Sequence, residues 1–181
     1  MTRINLNIHS IPELQEALDN AFESVISFIE KQSDDQFETS TAEGKWSTGE
    51  QLEHLIKSVI PINTGLILPK TVLKLRFGTT DRTEMNFEQL RDLYQSKLAE
   101  GAKATKPYIP NPIPASKKAS LISKYRSEKE KLTRSLNKWD EKSISKIVAP
   151  HPILGNITIR ELIFFTVYHN YHHLESIKSI M

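Results

Sequence analysis

The stretch Thr158-Ile159-Arg160-Glu161-Leu162-Ile163-Phe164-Phe165-Thr166-Val167-Tyr168-His169-Asn170-Tyr171-His172-His173-Leu174-Glu175-Ser176-Ile177 contains neither proline nor glycine and opens with a capping residue three positions ahead of a glutamate. At that spacing the Thr158 hydroxyl and the Glu161 carboxylate can each accept a free N–H of a first helical turn. Ile159, Leu162, Ile163, Val167, Leu174 and Ile177 then recur at helical spacing, so the segment reads as a last helix running to the C-terminus with one buried face. The same signature stands at Ser10 with Glu13, Ser47 with Glu50 and Asn86 with Gln89. Ser10 opens a first long helix carrying Leu14, Leu18, Phe22, Val25, Ile26 and Ile29, with Pro12 in the first turn where a missing N–H costs nothing. Ser47 opens a second, striped by Leu52, Leu55, Ile56, Val59 and Ile60, which Pro61 kinks or ends. Asn86 opens a shorter helix that stops near Gly101.

Pro107, Pro110, Pro112 and Pro114 form an extended connector, after which Leu121, Ile122, Tyr125, Leu132, Leu136 and Trp139 mark the third long helix. Residues 63–83 are broken by Pro69 and Gly78 and read as irregular; residues 149–158, with Pro150, Pro152 and Gly155, read as a turn. No alternating pattern of useful length suggests a strand. The expectation is an all-α protein: a four-helix bundle with a shorter additional helix and a Pro-rich connector before the third long helix, forming a single domain over residues 1–181.

A chain of this length can be stable without a staple, and it contains no cysteine, which removes disulfides, thiolate metal sites and a cysteine nucleophile together. Any metal chemistry must use His, Asp and Glu. No basic segment followed by an apolar run appears in residues 1–13, and the longest apolar run, residues 162–167, falls far short of a membrane span, so a cytoplasmic protein without membrane association is expected. Net charge is +2, with lysines concentrated in residues 97–146 and acidic residues in 13–53. The lysines alternate with apolar and acidic residues as on an ordinary wet helix face and lack interleaved aromatics, so no nucleic-acid partner is expected.

Chemistry gathers around the histidines. His169 pairs with His173 at i,i+4 and with His172 at i,i+3. Taking about 100° per residue from the centre of the apolar face, His173 lies about 55° away, His169 about 95° and His172 about 155°. His172 therefore points outward, and His169 with His173 is the pair able to reach into a bundle. Two imidazoles one turn apart on a rigid helix suit a single Zn, Ni, Cu or Fe ion. They equally suit two rings packed at the core margin, and a third ligand would decide between the readings. His54 lies nearly opposite the Leu52, Leu55, Ile56, Val59 stripe, beside Glu50 and Ser58, and on periodicity alone it reads as solvent-exposed. His9 and His151 read as surface residues, and Trp46, Tyr168 and Tyr171 as packing.

Trp46-Ser47 opening a helix with Glu50, Leu52, His54 and Leu55, followed much later by His151-Pro152, Gly155 and a helix ending in His169-Asn170-Tyr171-His172-His173, resembles the DinB-like superfamily of metal-binding four-helix proteins. The resemblance implies that His54, His169 and His173 bind one divalent metal ion, Zn or Ni first, with Fe or Mn as alternatives. It also implies a metal-dependent hydrolase or low-molecular-weight thiol transferase acting on a small-molecule substrate, and allows a homodimer. At Leu174-Glu175-Ser176 the chain departs from the small residue and Gln of many members, so no subfamily activity carries over. The alternative is a non-catalytic stress-response or dimer-forming bundle. No general acid or base can be assigned.

Overall fold

A computed structural model describes residues 6–40 and 44–180; residues 1–5, 41–43 and 181, which include part of the N-terminal stretch read for a leader, lie outside the described residues. Four long helices build the frame: α1 (Ile11–Glu30), α3 (Thr48–Leu66), α6 (Lys118–Leu136) and α8 (Ile159–Ser179). Between them stand α2 (Asp34–Glu38), α4 (Lys70–Phe77), α5 (Phe87–Ala99) and α7 (Glu141–Lys146). The capping residues at Ser10, Ser47, Asn86 and Thr158 each form the reciprocal pair expected of them, and Ser33 with Gln36 forms another at α2.

The long helices are ordered in a ring. Each of α1 and α3 packs mainly against α6 and α8, so α1 and α3 sit on opposite corners and the chain must cross the bundle between them. One apolar cluster joins all four, with Leu18, Phe22, Leu52, Leu55, Leu132, Ile163 and Val167 at its centre, and α5 packs on the outer side of α8.

Two segments differ from the sequence reading. Residues 63–83 are largely helical: α3 continues through Pro61 to Leu66, and α4 follows after Pro69. A proline inside a helix costs about 3 kcal/mol, but the turn beyond it buries Ile62 and Leu66 and places the Asn63 amide on the backbone and carboxylate of Glu128 at 3.0 and 2.7 Å. Residues 149–158 form more than a turn. Strands β1 (Val148–His151) and β2 (Gly155–Thr158) pair antiparallel, with Gly155 supplying the left-handed backbone at φ 72°. Paired strands four residues long were too short to show an alternating pattern.

The start of α8 is pinned by charge. The buried Glu161 carboxylate accepts from both guanidinium nitrogens of Arg82, from the Met85 N–H at 2.7 Å and from the Thr158 N–H at 2.8 Å. Arg160 meets Glu84 and Glu141. These contacts fasten the segment between α4 and α5, and α7, to the base of the helix that carries the histidine cluster.

A histidine centre at the floor of an apolar cavity

His54 projects from the second turn of α3, and His169 and His173 from successive turns of α8; all three are buried. Their rings converge. The Nε2 of His169 lies 3.1 Å from Nε2 of His54 and 3.0 Å from Nε2 of His173. The angular estimate that kept His169 and His173 together is matched by their burial. His54 overturns its periodicity reading: it is 6% exposed. The Pro-rich connector is the reason, since it runs along the polar face of α3 and covers it. Asn111 N–H donates to Glu53 at 2.8 Å, Lys57 donates to the Ile109 carbonyl at 2.9 Å, and the Tyr108 carbonyl meets Nδ1 of His54 at 2.7 Å.

The outer nitrogens fix the tautomers. A carbonyl can only accept, so His54 carries its proton on Nδ1 and turns an Nε2 lone pair inward. Gln51 donates its amide N–H to the Trp46 carbonyl at 3.2 Å, which leaves its oxygen facing Nδ1 of His173 at 3.0 Å. His173 therefore also turns a lone pair inward. A proton on Nε2 of His169 could answer one of these lone pairs but not both, and the three nitrogens lie close enough together that they could hold one metal ion. Ligands at roughly 2.0–2.1 Å from one ion stand roughly 3.0 Å apart at right angles and roughly 3.4 Å apart at the tetrahedral angle, which brackets the observed separations closely enough for these residues to fit a divalent metal. Second-sphere acceptors on the far nitrogens, here Tyr108 and Gln51, are the usual support of such ligands.

Electrostatics agrees. Burial, reinforced by the neighbouring imidazoles, holds His169 and His173 well below the ordinary histidine range, and burial with the nearby Lys57 charge lowers His54 against the opposing effect of the hydrogen bond it donates to the Tyr108 carbonyl. All three are neutral at pH 7, the form in which imidazole ligates.

Above the cluster opens a cavity of about 510 Å³, bordered by α3, α4, α5, α8 and the β1–β2 turn. Trp46 lies at its edge, its ring centroid 5.0 Å from that of His54 and 6.4 Å from that of His173. His172, expected to point outward, is half-buried and lines the cavity with its ring 6.1 Å from Tyr94, because α5 packs on that side of α8. His151 is buried rather than on the surface. Its Nδ1 accepts the N–H groups of Ile153 and Leu154 at 3.2 and 3.0 Å, its ring stands 4.2 Å from Phe165, and burial pushes its pKa down to about 4. Tyr94, which no sequence signal marked, also lines the cavity, and burial first, then the neighbouring Tyr168, pushes its phenol up to about 12. Among the described residues lining the cavity there is no Asp or Glu.

Fold and site together define a four-helix bundle with a three-histidine cluster between its second and last long helices. The DinB superfamily model matches residues 17–177, and the chain belongs to that superfamily. Among solved structures, YfiT from Bacillus subtilis, described as a probable metal-dependent hydrolase with an unusual four-helix bundle topology, is 15% identical with a TM-score of 0.62, over 99% of this chain and 90% of that one. TT2238, described as a four-helix bundle protein, is also 15% identical, with a TM-score of 0.58 over 94% of this chain and 99% of that one. At such identities the likeness shows the fold. No curated protein matches the chain. Among the described residues no helix is long and apolar enough to cross a membrane.

Proposed function

We propose that the chain is a metal-dependent enzyme in which His54, His169 and His173 hold one divalent ion through Nε2, Zn or Ni first and Fe or Mn as alternatives, and that it hydrolyses a small-molecule ester or amide. The observation that carries this reading is the convergence of the Nε2 atoms, two of them fixed as lone-pair donors by Tyr108 and Gln51. Three protein ligands are the number found where a metal keeps a position for water or substrate. Such an ion, held by these three imidazoles, would supply a Lewis acid to polarise a substrate carbonyl and lower the pKa of water.

The chain's own residues supply orientation and exclusion. The Nδ1 hydrogen bonds hold the imidazole planes in place, and the Trp46 ring closes one side of the centre. Tyr94 keeps its proton across the physiological range and offers an O–H donor to a substrate oxygen at the cavity wall. Hydrolysis adds water across the acyl bond, giving a carboxylic acid and an alcohol or amine. That no carboxylate stands among the described wall residues favours a second reading, transfer of a low-molecular-weight thiol, because a metal held there would lower the thiol pKa enough for its proton to pass to solvent without a neighbouring base.

Metal analysis of protein purified without a polyhistidine tag, beside His173→Ala and His172→Ala, tests the centre. One equivalent of metal in wild type and His172→Ala, lost in His173→Ala, is the expected result. Equal behaviour of the two variants, or no binding of any of several divalent ions by wild type, overturns it and leaves a non-catalytic bundle. Ester, amide and thiol-transfer substrates assayed with and without metal then separate hydrolysis from transfer.

A further inference from the structure

The cavity above the histidines is larger and drier than metal ligation requires. Its volume, about 510 Å³, lies within the range of roughly 300 to 1,000 Å³ that holds drug-sized ligands. Away from the histidines its wall is formed by Ile62, Leu66, Leu73, Phe77, Leu162 and Phe165. The two hydroxyls that α3 contributes are already committed to their own helix: Ser58 donates to the His54 carbonyl and Thr64 to the Ile60 carbonyl, each at 2.9 Å. Among the described residues no carboxylate lines the space, and the one permanently charged residue there, Arg76, is exposed. The cavity thus has a polar end, made by the histidine cluster with Tyr94, Tyr108 and His172, and a mostly apolar remainder interrupted by Thr105.

That asymmetry selects a ligand. A polyhydroxylated or multiply charged molecule would leave polar groups buried without partners, each such group weakening binding roughly ten- to a hundredfold. A hydrocarbon body loses nothing there and gains about fourfold in affinity for each methylene removed from water. We propose that the substrate is an amphiphilic carbonyl compound, a medium-chain acyl or arylalkyl ester or amide, with its carbonyl at the histidines and its hydrocarbon body along Leu66, Leu73 and Leu162. The placement of the carbonyl rests on the metal reading above, and the placement of the body on the cavity alone.

Two probe series separate these parts: straight-chain hydroxamic acids and straight-chain alcohols, each from two to ten carbons, titrated calorimetrically into zinc-treated wild type and into His173→Ala. Affinity rising about fourfold per added methylene in both series, up to the length that fills the cavity, supports the proposal. Hydroxamates exceeding alcohols of equal length in wild type, with the advantage gone in His173→Ala, supports the metal reading beneath it. Equal affinities for the two series with the length dependence retained would keep the apolar body and overturn the metal reading. A flat length dependence in wild type, or a sugar-acid hydroxamate binding as tightly as the octanoyl compound, would overturn the substrate class. Ile153→Trp, at the β1–β2 turn, narrows the cavity and shortens the chain length at which affinity levels off; an unchanged limit would place the body elsewhere.

Discussion

Replacing His151 with asparagine should lower stability at neutral pH and reverse the order of the two proteins in acid. Asparagine can put Oδ1 where Nδ1 now accepts from Ile153 and Leu154, while removing both the ring beside Phe165 and the titration. Losing the ring contact should cost about 1–2 kcal/mol at pH 7.5. The titration acts in the opposite sense. His151 has a folded pKa of about 4 against about 6.5 unfolded, so between these values the unfolded chain binds more protons. Its neutral form in the fold therefore contributes fully above pH 6.5, and that contribution is lost as pH falls toward 4. The loss works out to about 2 kcal/mol at pH 5 and about 3 kcal/mol near pH 4. Wild type should be the more stable protein at pH 7.5, the two should meet between about pH 5 and pH 6, and the variant should lead below that. Urea unfolding in chelator from pH 7.5 to 4.5 measures this, since the remaining histidines titrate in both proteins and cancel in the difference. A constant offset across the range would mean that His151 is not held neutral by burial, and the reasoning would fail.

Gln51→Leu removes the acceptor that fixes the His173 tautomer, and metal affinity should fall about 10- to 100-fold in a competition titration with a chromophoric chelator while the fold is retained. Gly49→Ala should disturb the same centre from a distance, because a Cβ there would lie 2.8 Å from Phe37 and 3.0 Å from Ile113 on the connector; about 1–3 kcal/mol of destabilisation by thermal unfolding, with weaker metal binding, is expected. Glu161→Gln leaves Arg82 without its anion and weakens the hydrogen bonds from Met85 and Thr158, and should cost about 2 kcal/mol in urea. Burial favours the protonated form of Glu161, but Arg82 and the two N–H donors outweigh it and hold its pKa below the ordinary value. Its stabilising share is therefore present above the unfolded pKa near 4.5 and disappears as pH falls through the lower folded one, and Glu161→Gln should lack that acid-range loss.

What the sequence made legible follows from how local each feature is. A capping box is decided within four residues, so Ser10, Ser47, Asn86 and Thr158 could be located by inspection. An apolar stripe is decided within one helix, so the burial of His169 and His173 could be ranked against His172 by angle alone. The turn after Pro61 failed because its support comes from Glu128, on a different helix and far along the chain. His54 is the sharper case. Its helix face carries Glu50, Glu53, Lys57 and Ser58, a composition that ordinarily meets water. Here it meets a connector whose prolines suit an extended path along α3, whose Tyr108 carbonyl takes the imidazole N–H, and whose Asn111 and Ile109 backbone groups answer Glu53 and Lys57. A polar face covered by backbone rather than by side chains leaves no apolar stripe, so periodicity has nothing to register, and only the family resemblance drew attention to this histidine. The same connector helps form the cleft itself. It covers His54 and, through Thr105 and Tyr108, also lines the cavity into which the histidine cluster opens.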